Sequence, residues 1–224
     1  HFSSYDNPMI DPQELDERKR SLPDHIFRQE YMAEFIDNAS GLFKGVRDVV
    51  GAAGSTGKHY AGLDIGRADD YTVLSIINDQ GHMVYVGRWR HDEWTKIIDK
   101  VEAQIRKYQA VTLIEVNNQG DIFHEMLSAR MRNLINPFTT TSKTKPVIIE
   151  DLALAFEQKD IRILEEGWLI DELENFTYIY NPNTRSVQYS APVGMHDDGV
   201  ISLALAWHCR KHYSKRGQYK ILRA

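Results

Sequence analysis

The sequence offers little that would hold it together covalently or anchor it in a membrane. Its single cysteine, Cys209, excludes an internal disulfide and is compatible with a reducing compartment. Apolar runs stay well short of the ~20 residues that a membrane helix needs, and no signal-peptide pattern is present. We therefore expect a cytosolic protein that does not enter a membrane.

An excess of basic residues is also missing. The 27 lysines and arginines stand against 32 aspartates and glutamates, a net charge of −5. This balance argues against coating nucleic acid through bulk charge, but it does not exclude a local basic groove. A chain of 224 residues with 42% hydrophobic residues suits one large domain, alone or with an appendage.

One carboxylate lies inside a stretch that is otherwise typical of buried strands. Tyr60, Leu63 and Ile65, followed by residues 71–77, have the β-branched and aromatic content of such strands. Burying a lone carboxylate is costly, so Asp64 requires a cation, either a basic side chain or a metal ion that several acids share.

Further acids occupy similar settings. Glu115 ends the apolar run 111–115, and Asp197 and Asp198 precede the apolar, helix-like run 199–207. Each acid alone has a structural explanation, since Glu115 could neighbour a helix cap and Asp197 could be an N-cap. Together they predict one shared metal site with Asp64, Glu115, Asp197 and Asp198 as ligands.

The order of elements predicts an α/β domain with a mixed sheet. Short turns between three consecutive strands indicate an antiparallel meander, and a strand that follows a helix is expected to run parallel to the first. The predicted strands are 59–66, 71–78, 82–90, 111–116 and 134–139, with a hairpin at 178–180 and 187–189; the predicted helices are 93–108, 121–131, 146–159, 165–176 and 197–212.

Three segments are expected along the chain. Residues 1–57 form an arm and linker with an apolar helical stripe at 26–36, residues 58–213 form the α/β domain, and residues 214–224 are a basic tail. Starting at His rather than Met, the chain is expected to be an excised fragment. Gly51 to Lys58 superficially resembles a phosphate-binding loop, but five rather than four residues separate Gly51 from Gly57, and His59 replaces the Ser or Thr.

The type of acid cluster predicts its chemistry. Carboxylate oxygens without His or Cys suit hard cations such as Mg²⁺ or Mn²⁺. Two such ions about 4 Å apart activate a water and stabilise the leaving oxygen in phosphodiester cleavage. The cluster therefore indicates a nuclease.

Five pieces of the sequence, in order, resemble the nuclease domain of phage terminase large subunits. They are 27–35, 62–66 with 69–73, 113–115 with 118–121, 172–176, and 196–206. The resemblance implies an RNase H-like (RuvC-type) mixed β-sheet flanked by helices, with an N-terminal helical linker and a β-hairpin insertion. It also implies that Asp64, Glu115 and Asp198 are catalytic, that two Mg²⁺ or Mn²⁺ ions bind, and that concatemeric double-stranded DNA is cut with little sequence preference.

The same resemblance implies partners. These are an upstream ATPase domain in the same polypeptide, a portal protein and a small terminase subunit, in the host cytoplasm during phage assembly. The second acid of relatives is often Asp, and here it is Glu115. Two alternatives stay open: another RNase H-like nuclease such as a junction resolvase, or a non-catalytic DNA-binding or motor-docking module.

Several polar residues have two interpretations. Asp70 and Asp121 follow Asp64 and Glu115 by six residues each, where they could support the metal ligands or serve as a turn former and a helix cap. Lys143, Lys145 and Arg185 are expected to contact DNA phosphates, although a solvated loop explains the two lysines equally well.

Overall fold

The computed structural model describes residues 3–34, 41–51, 54, 56–66, 70–90, 94–117, 120–181 and 186–221. Within this part of the chain, no helix is both long enough and apolar enough to cross a membrane. The helices are α1 (Pro12–Ser21), α2 (Asp24–Tyr31), α3 (Trp94–Tyr108), α4 (Gly120–Met131), α5 (Thr144–Glu157), α6 (Gly167–Asn175) and α7 (Asp198–Ile221); the strands are β1 (His59–Asp64), β2 (Tyr71–Asn78), β3 (Met83–Arg90), β4 (Val111–Glu115), β5 (Ile135–Phe138), β6 (Thr177–Asn181) and β7 (Ser186–Ser190).

Five strands form one mixed sheet in the order β3-β2-β1-β4-β5. The first three strands form the predicted antiparallel meander, and β4 and β5 run parallel to β1. Helix α3 connects β3 to β4, so it supplies the long crossover that a parallel strand requires. The predicted α/β fold class is therefore confirmed, with β1 at the centre of the sheet.

Helices cover both faces of this sheet, which is why every residue of β1 is buried. On one face Ala61 and Leu63 pack against the apolar stripes of α3 and α4. On the other face Tyr60 packs with residues of α5, α6 and α7. The predicted stripe of α3 matches this arrangement, because Ile97, Ile98, Val101 and Ile105 are all buried.

Helix α7 lies unusually close to β1 at Gly62. A Cβ atom on Gly62 would collide with the Ser202 carbonyl oxygen and would lie 2.5 Å from the Ala206 nitrogen. The Ser202 hydroxyl donates to the Gly62 carbonyl oxygen at 2.9 Å and also contacts the Ser75 hydroxyl at 2.9 Å. Glycine at position 62 therefore permits α7 to cross the sheet in direct contact with the backbone of β1.

Two helices end more than two residues away from the predicted position. The stripe at 26–36 was expected to form one helix, but α2 ends at Tyr31, where Ala33 adopts φ 53° and the Glu34 amide donates to the Arg28 carbonyl oxygen. Residues 35 and 36 lie outside the described part of the chain. Helix α7 was expected to end at residue 212 but continues to Ile221, since the apolar stripe that guided the prediction stops before the helix does.

The N-terminal helices dock on the end of α5. The Asp24 amide donates to the Glu157 carboxylate at 3.0 Å, and the Gln158 side chain donates to the Arg20 carbonyl oxygen at 2.8 Å. Farther along, Leu42, Phe43, Val46 and Val49 belong to the core between the sheet and α5 to α7. Part of the segment predicted as linker thus packs into the core, and the domain boundary at residue 57 stays a prediction.

Strands β6 and β7 form the expected separate hairpin, with residues 182–185 outside the described chain. The Tyr189 hydroxyl donates to Glu150 Oε1 on α5 at 2.8 Å and lies 3.3 Å from His25 Nε2 on α2. We call His25, Glu150 and Tyr189 the N-terminal dock, because they join the hairpin and α5 to the N-terminal helices.

Candidate metal centre

Strand pairing brings the first two acids together at the C-terminal ends of two neighbouring inner strands. Strands β1 and β4 pair in parallel with Leu63 opposite Ile114, and each strand ends at the next residue, Asp64 and Glu115. The two carboxyl groups lie within hydrogen-bonding reach of each other. Adjacent parallel strands therefore place two acids of distant sequence side by side.

Helix α7 delivers the third acid. Asp198 is the first residue of the helix, and its Oδ2 accepts a hydrogen bond from the Tyr71 amide at 3.2 Å. Tyr71 begins β2, the strand that pairs with β1 on the other side. Asp198 is thus held next to the strand ends at which Asp64 and Glu115 lie.

These acids line one pocket, which we call the acid cleft. The cleft opens to solvent, and its cavity volume of about 170 Å³ leaves room for cations and waters. No lysine or arginine is among the described residues that line it. They are Asp64, Ile65, Gly66, Asp70, Glu115, Asn117 and Asp198.

The acid cleft strongly disfavours negative charge. Burial, followed by the charge of Glu115, raises the pKa of Asp64 well above its usual range. Burial likewise raises the pKa of Asp198 to about 6, although the hydrogen bond from the Tyr71 amide partly offsets it. Carboxylates this close share a proton or require a cation between them.

Asp70 and His196 extend the cluster. His196 Nδ1 lies 3.6 Å from Asp198 Oδ2 and 3.8 Å from Asp70 Oδ1, and the imidazole packs edge-on against the Tyr71 ring. Ligand atoms of Asp70, His196 and Asp198 all lie within 4.8 Å of one another. Asp70 therefore lies in the cleft, and His196 offers a ring nitrogen beside it that was not predicted from the sequence.

Two supporting residues were also missed. The Asn117 side-chain amide donates to Glu115 Oε1 at 2.7 Å and to the Thr140 carbonyl oxygen at 3.1 Å, which fixes the orientation of the Glu115 carboxylate. Glu172 on α6 accepts a hydrogen bond from the Gly199 amide at 2.8 Å, and burial raises its pKa to about 7. For Asn117, an amide side chain two residues after the end of a strand was the available sequence signal.

Other predicted site residues lie elsewhere or outside the described side chains. Asp197 Oδ2 pairs with Lys145 Nζ at 3.2 Å, and neither residue lines the acid cleft. Lys143 is exposed at the start of α5. Asp121 is the second residue of α4, with its side chain outside the described set, and Arg185 lies outside the described residues altogether.

The donor set suits a hard divalent cation. Asp64, Glu115 and Asp198 supply only carboxylate oxygens, the ligands that Mg²⁺ and Mn²⁺ prefer. An imidazole at His196 is also compatible with Mn²⁺, whereas no cysteine lines the described cleft. Buried Asp64 pairs with Glu115, and no lysine or arginine is among the described lining residues, which is the observation that favours a cation here.

Known proteins resemble this chain in sequence and in fold. A large terminase subunit of Thermus virus P23-45 is 30% identical over 219 aligned residues, which cover 91% of this chain and 44% of that relative. The chain thus spans less than half the length of this curated relative. No family model matches the sequence.

Solved structures give the same result. The large terminase nuclease of the thermophilic phage G20c matches with a TM-score of 0.64 at 25% identity, covering 75% of this chain and 98% of that one. A structure of that nuclease with bound magnesium matches with a TM-score of 0.67 at 24% identity, covering 77% and 98%. The resemblance to terminase nuclease domains inferred from the sequence is confirmed.

Proposed function

We propose that this chain, which resembles the nuclease domain of phage terminase large subunits, is a divalent-metal-dependent endonuclease that hydrolyses double-stranded DNA. The observation that carries the proposal is the convergence of Asp64, Glu115 and Asp198 in a cleft without a lysine or arginine among its described lining residues. The likeness to the G20c nuclease along nearly its full length supports the same activity.

Asp64, Glu115 and Asp198 would hold two Mg²⁺ or Mn²⁺ ions. Such ions, when bound, would supply a Lewis acid that lowers the pKa of a bound water and offsets charge on the leaving oxygen. The chain's own contribution is to keep the ligands in position: Asn117 orients Glu115, and the Tyr71 amide orients Asp198. His196, within 3.6 Å of Asp198, is placed to carry a proton at the edge of the cleft.

A groove beside the cleft offers a path for the DNA backbone. It runs between the 140–146 segment and β7, and Asn117 connects it to the acid cleft through the Thr140 carbonyl oxygen. Hydroxyls and Lys145 suit phosphate contacts that do not read base sequence, which is consistent with little sequence preference. The described lining residues are Thr140, Thr141, Ser142, Lys145, Pro146, Val187, Gln188, Tyr189 and Ser190.

The activity is tested by nicking and linearisation of supercoiled plasmid in Mg²⁺, Mn²⁺, Ca²⁺ or chelator. We expect cleavage with Mg²⁺ or Mn²⁺ and little with Ca²⁺, whose looser coordination does not hold the water and leaving oxygen correctly. Undiminished cutting in excess chelator would contradict the proposal. Strong preference for a four-way junction over linear duplex would instead indicate a resolvase, and metal-independent binding without cutting would indicate a DNA-binding module.

The DNA path is tested by replacing Lys143, Lys145 and Arg185 together with alanine. Each lost phosphate contact is expected to reduce the slope of log affinity against log salt by about 0.9, equally for all DNA sequences, with unchanged Mn²⁺ affinity. The pairing of Lys145 with Asp197 means that its contribution is partly neutralised before DNA binds. Wild-type affinity and salt slope would show that DNA enters by another face.

We also propose a further domain and partner proteins for this chain. The curated relative is more than twice as long as the matched region, so an upstream ATPase domain in the same polypeptide fits the difference in length. Cutting of concatemeric DNA in the host cytoplasm, with a portal protein and a small terminase subunit as partners, follows from the same family likeness.

A further inference from the structure

Glu172 grips the main chain immediately after Asp198. Its side chain, 7% exposed, lies on α6, and Oε2 accepts the Gly199 amide at 2.8 Å. A Cβ atom at position 199 would lie 2.8 Å from this oxygen and 2.7 Å from the Trp168 ring. Glycine at 199 therefore allows the carboxylate to approach the start of α7 closely.

Arg88 contacts both Glu172 and Tyr71, the residue on the opposite side of Asp198. Its Nη2 lies 3.4 Å from Glu172 Oε1, and its guanidinium stacks on the Tyr71 ring at 3.5 Å and on the Trp168 ring at 4.7 Å. Tyr71 is the residue whose amide binds Asp198. Asp198 is thus held from β2 by its carboxylate and from α6 by the amide that follows it, and Arg88 packs between the two supports.

This arrangement is not the one that stability alone would favour. Among the described residues, neither Arg88 Nε nor Glu172 Oε1 has a hydrogen-bond partner. A neutral Ser, Thr or Asn could cap the Gly199 amide without burying a charge. A second carboxylate beside Asp198 is explained if it keeps the start of α7 fixed against a site that binds a cation.

We propose that Glu172 is a positioning residue that holds Asp198 in place for metal binding by anchoring the Gly199 amide. The inference rests on the proposed metal-dependent activity of the acid cleft. Glu172 acts through the main chain and does not itself contact the metal. Loss of the anchor should lower metal affinity by about 10–100-fold, the usual penalty for losing a residue that orients a ligand.

The test is isothermal titration of Mn²⁺ into wild type, Glu172→Leu and Glu172→Gln, with melting temperatures measured in chelator. Glu172→Leu removes the acceptor and should lose 10–100-fold in affinity. Glu172→Gln retains an acceptor oxygen and should stay within about threefold of wild type. Glu174 lies on the same helix as Glu172 and forms an exposed ion pair with Arg47. Glu174→Gln breaks this pair, is the matched control and should bind Mn²⁺ normally.

Each outcome decides a different point. Wild-type Mn²⁺ affinity in Glu172→Leu overturns the positioning role, whatever its melting temperature. An equal loss in Glu172→Gln also overturns it, because charge rather than anchoring would then be responsible. If Glu172→Leu does not fold, Gly199→Ala displaces the carboxylate with no change of charge, and normal affinity there overturns the proposal. Absence of Mn²⁺ binding by the wild type would instead refute the proposed function.

Discussion

The acid cleft and the N-terminal dock both bury ionisable side chains, but they treat them in opposite ways. In the N-terminal dock the Tyr189 hydroxyl donates to Glu150 and lies next to His25, so donors meet acceptors. In the acid cleft Asp64 faces Glu115, and Asp198 lies near Asp70. The polar cluster of the dock is satisfied internally, whereas the described lining of the acid cleft supplies no lysine or arginine for its acids, which favours a cation from outside.

Replacing Asp64 with Asn should have the largest effect and should show most clearly that the acid cleft differs from the N-terminal dock. Losing a metal ligand removes several kcal/mol of transition-state stabilisation, so plasmid cleavage should fall on the order of 10³-fold while DNA affinity is retained. The metal-free variant should be more stable than wild type, because a buried carboxylate beside Glu115 is gone. Asp48→Asn, an exposed acid paired with Lys159, is the control. A destabilised Asp64→Asn would mean that the acid cleft is satisfied like the dock.

Asp70→Asn should have the next largest effect. Asp70 lies in the cleft close to His196, and losing it should lower Mn²⁺ affinity by about 10–100-fold in a titration followed by electron paramagnetic resonance. Asp197→Asn should lower it less than Asp198→Asn, because Asp197 is engaged by Lys145. The reverse order would exchange the roles of the two neighbouring acids.

Tyr189→Phe should affect the fold and leave the metal site alone. The substitution leaves the Glu150 carboxylate without its hydroxyl donor, which should cost about 1–3 kcal/mol of unfolding free energy in urea denaturation. Mn²⁺ affinity should not change. Tyr5→Phe, which removes an exposed hydrogen bond to Asp16, is the control and should be nearly neutral. Lost metal affinity in Tyr189→Phe would show that the two regions are coupled.

Stability in chelator should depend on pH with opposite signs at His25 and at Asp198. Burial lowers the pKa of His25 to about 4, below the ordinary 6.5, so its contribution is full above pH 6.5 and is lost as the pH falls towards 4. The raised pKa of Asp198, about 6, gives a contribution that is full below 3.8 and is lost as the pH rises through 6. Denaturation curves from pH 4 to 7.5 should show His25→Gln removing the first trend and Asp198→Asn the second; parallel profiles for both variants would refute this assignment.

The sequence predicted what depends on local pattern and strand order. Asp64 and Glu115 each end an apolar run, and a strand after a helix runs parallel to the first, so their meeting could be inferred. Asn117, His196 and Glu172 could not be found this way. Glu172 meets Gly199 across 27 positions. Asn117 and His196, although each lies only two residues from a predicted ligand, also contact the distant Thr140 and Asp70. No periodicity reports such contacts.

The basic residues also show that contacts between distant residues cannot be predicted from the sequence. Lys145 was predicted to meet phosphate, and the fold gives it Asp197 as an ionic partner. A sequence reveals a charge but not the opposite charge that folding brings to it. The end of α2 at Tyr31 was likewise invisible, because it depends on Ala33 adopting a left-handed conformation that its residue type does not favour.

The contact between Gly62 and α7 limits what mutation can do to this protein over generations. A methyl group is the smallest side chain that can replace glycine, and even this would strike the Ser202 carbonyl oxygen. Any inherited change at position 62 must therefore be accompanied by a shift of α7, which carries Asp198 at its first residue. A distant descendant of this chain can change most of its surface freely, but we expect it to keep this glycine for as long as it keeps the acid cleft.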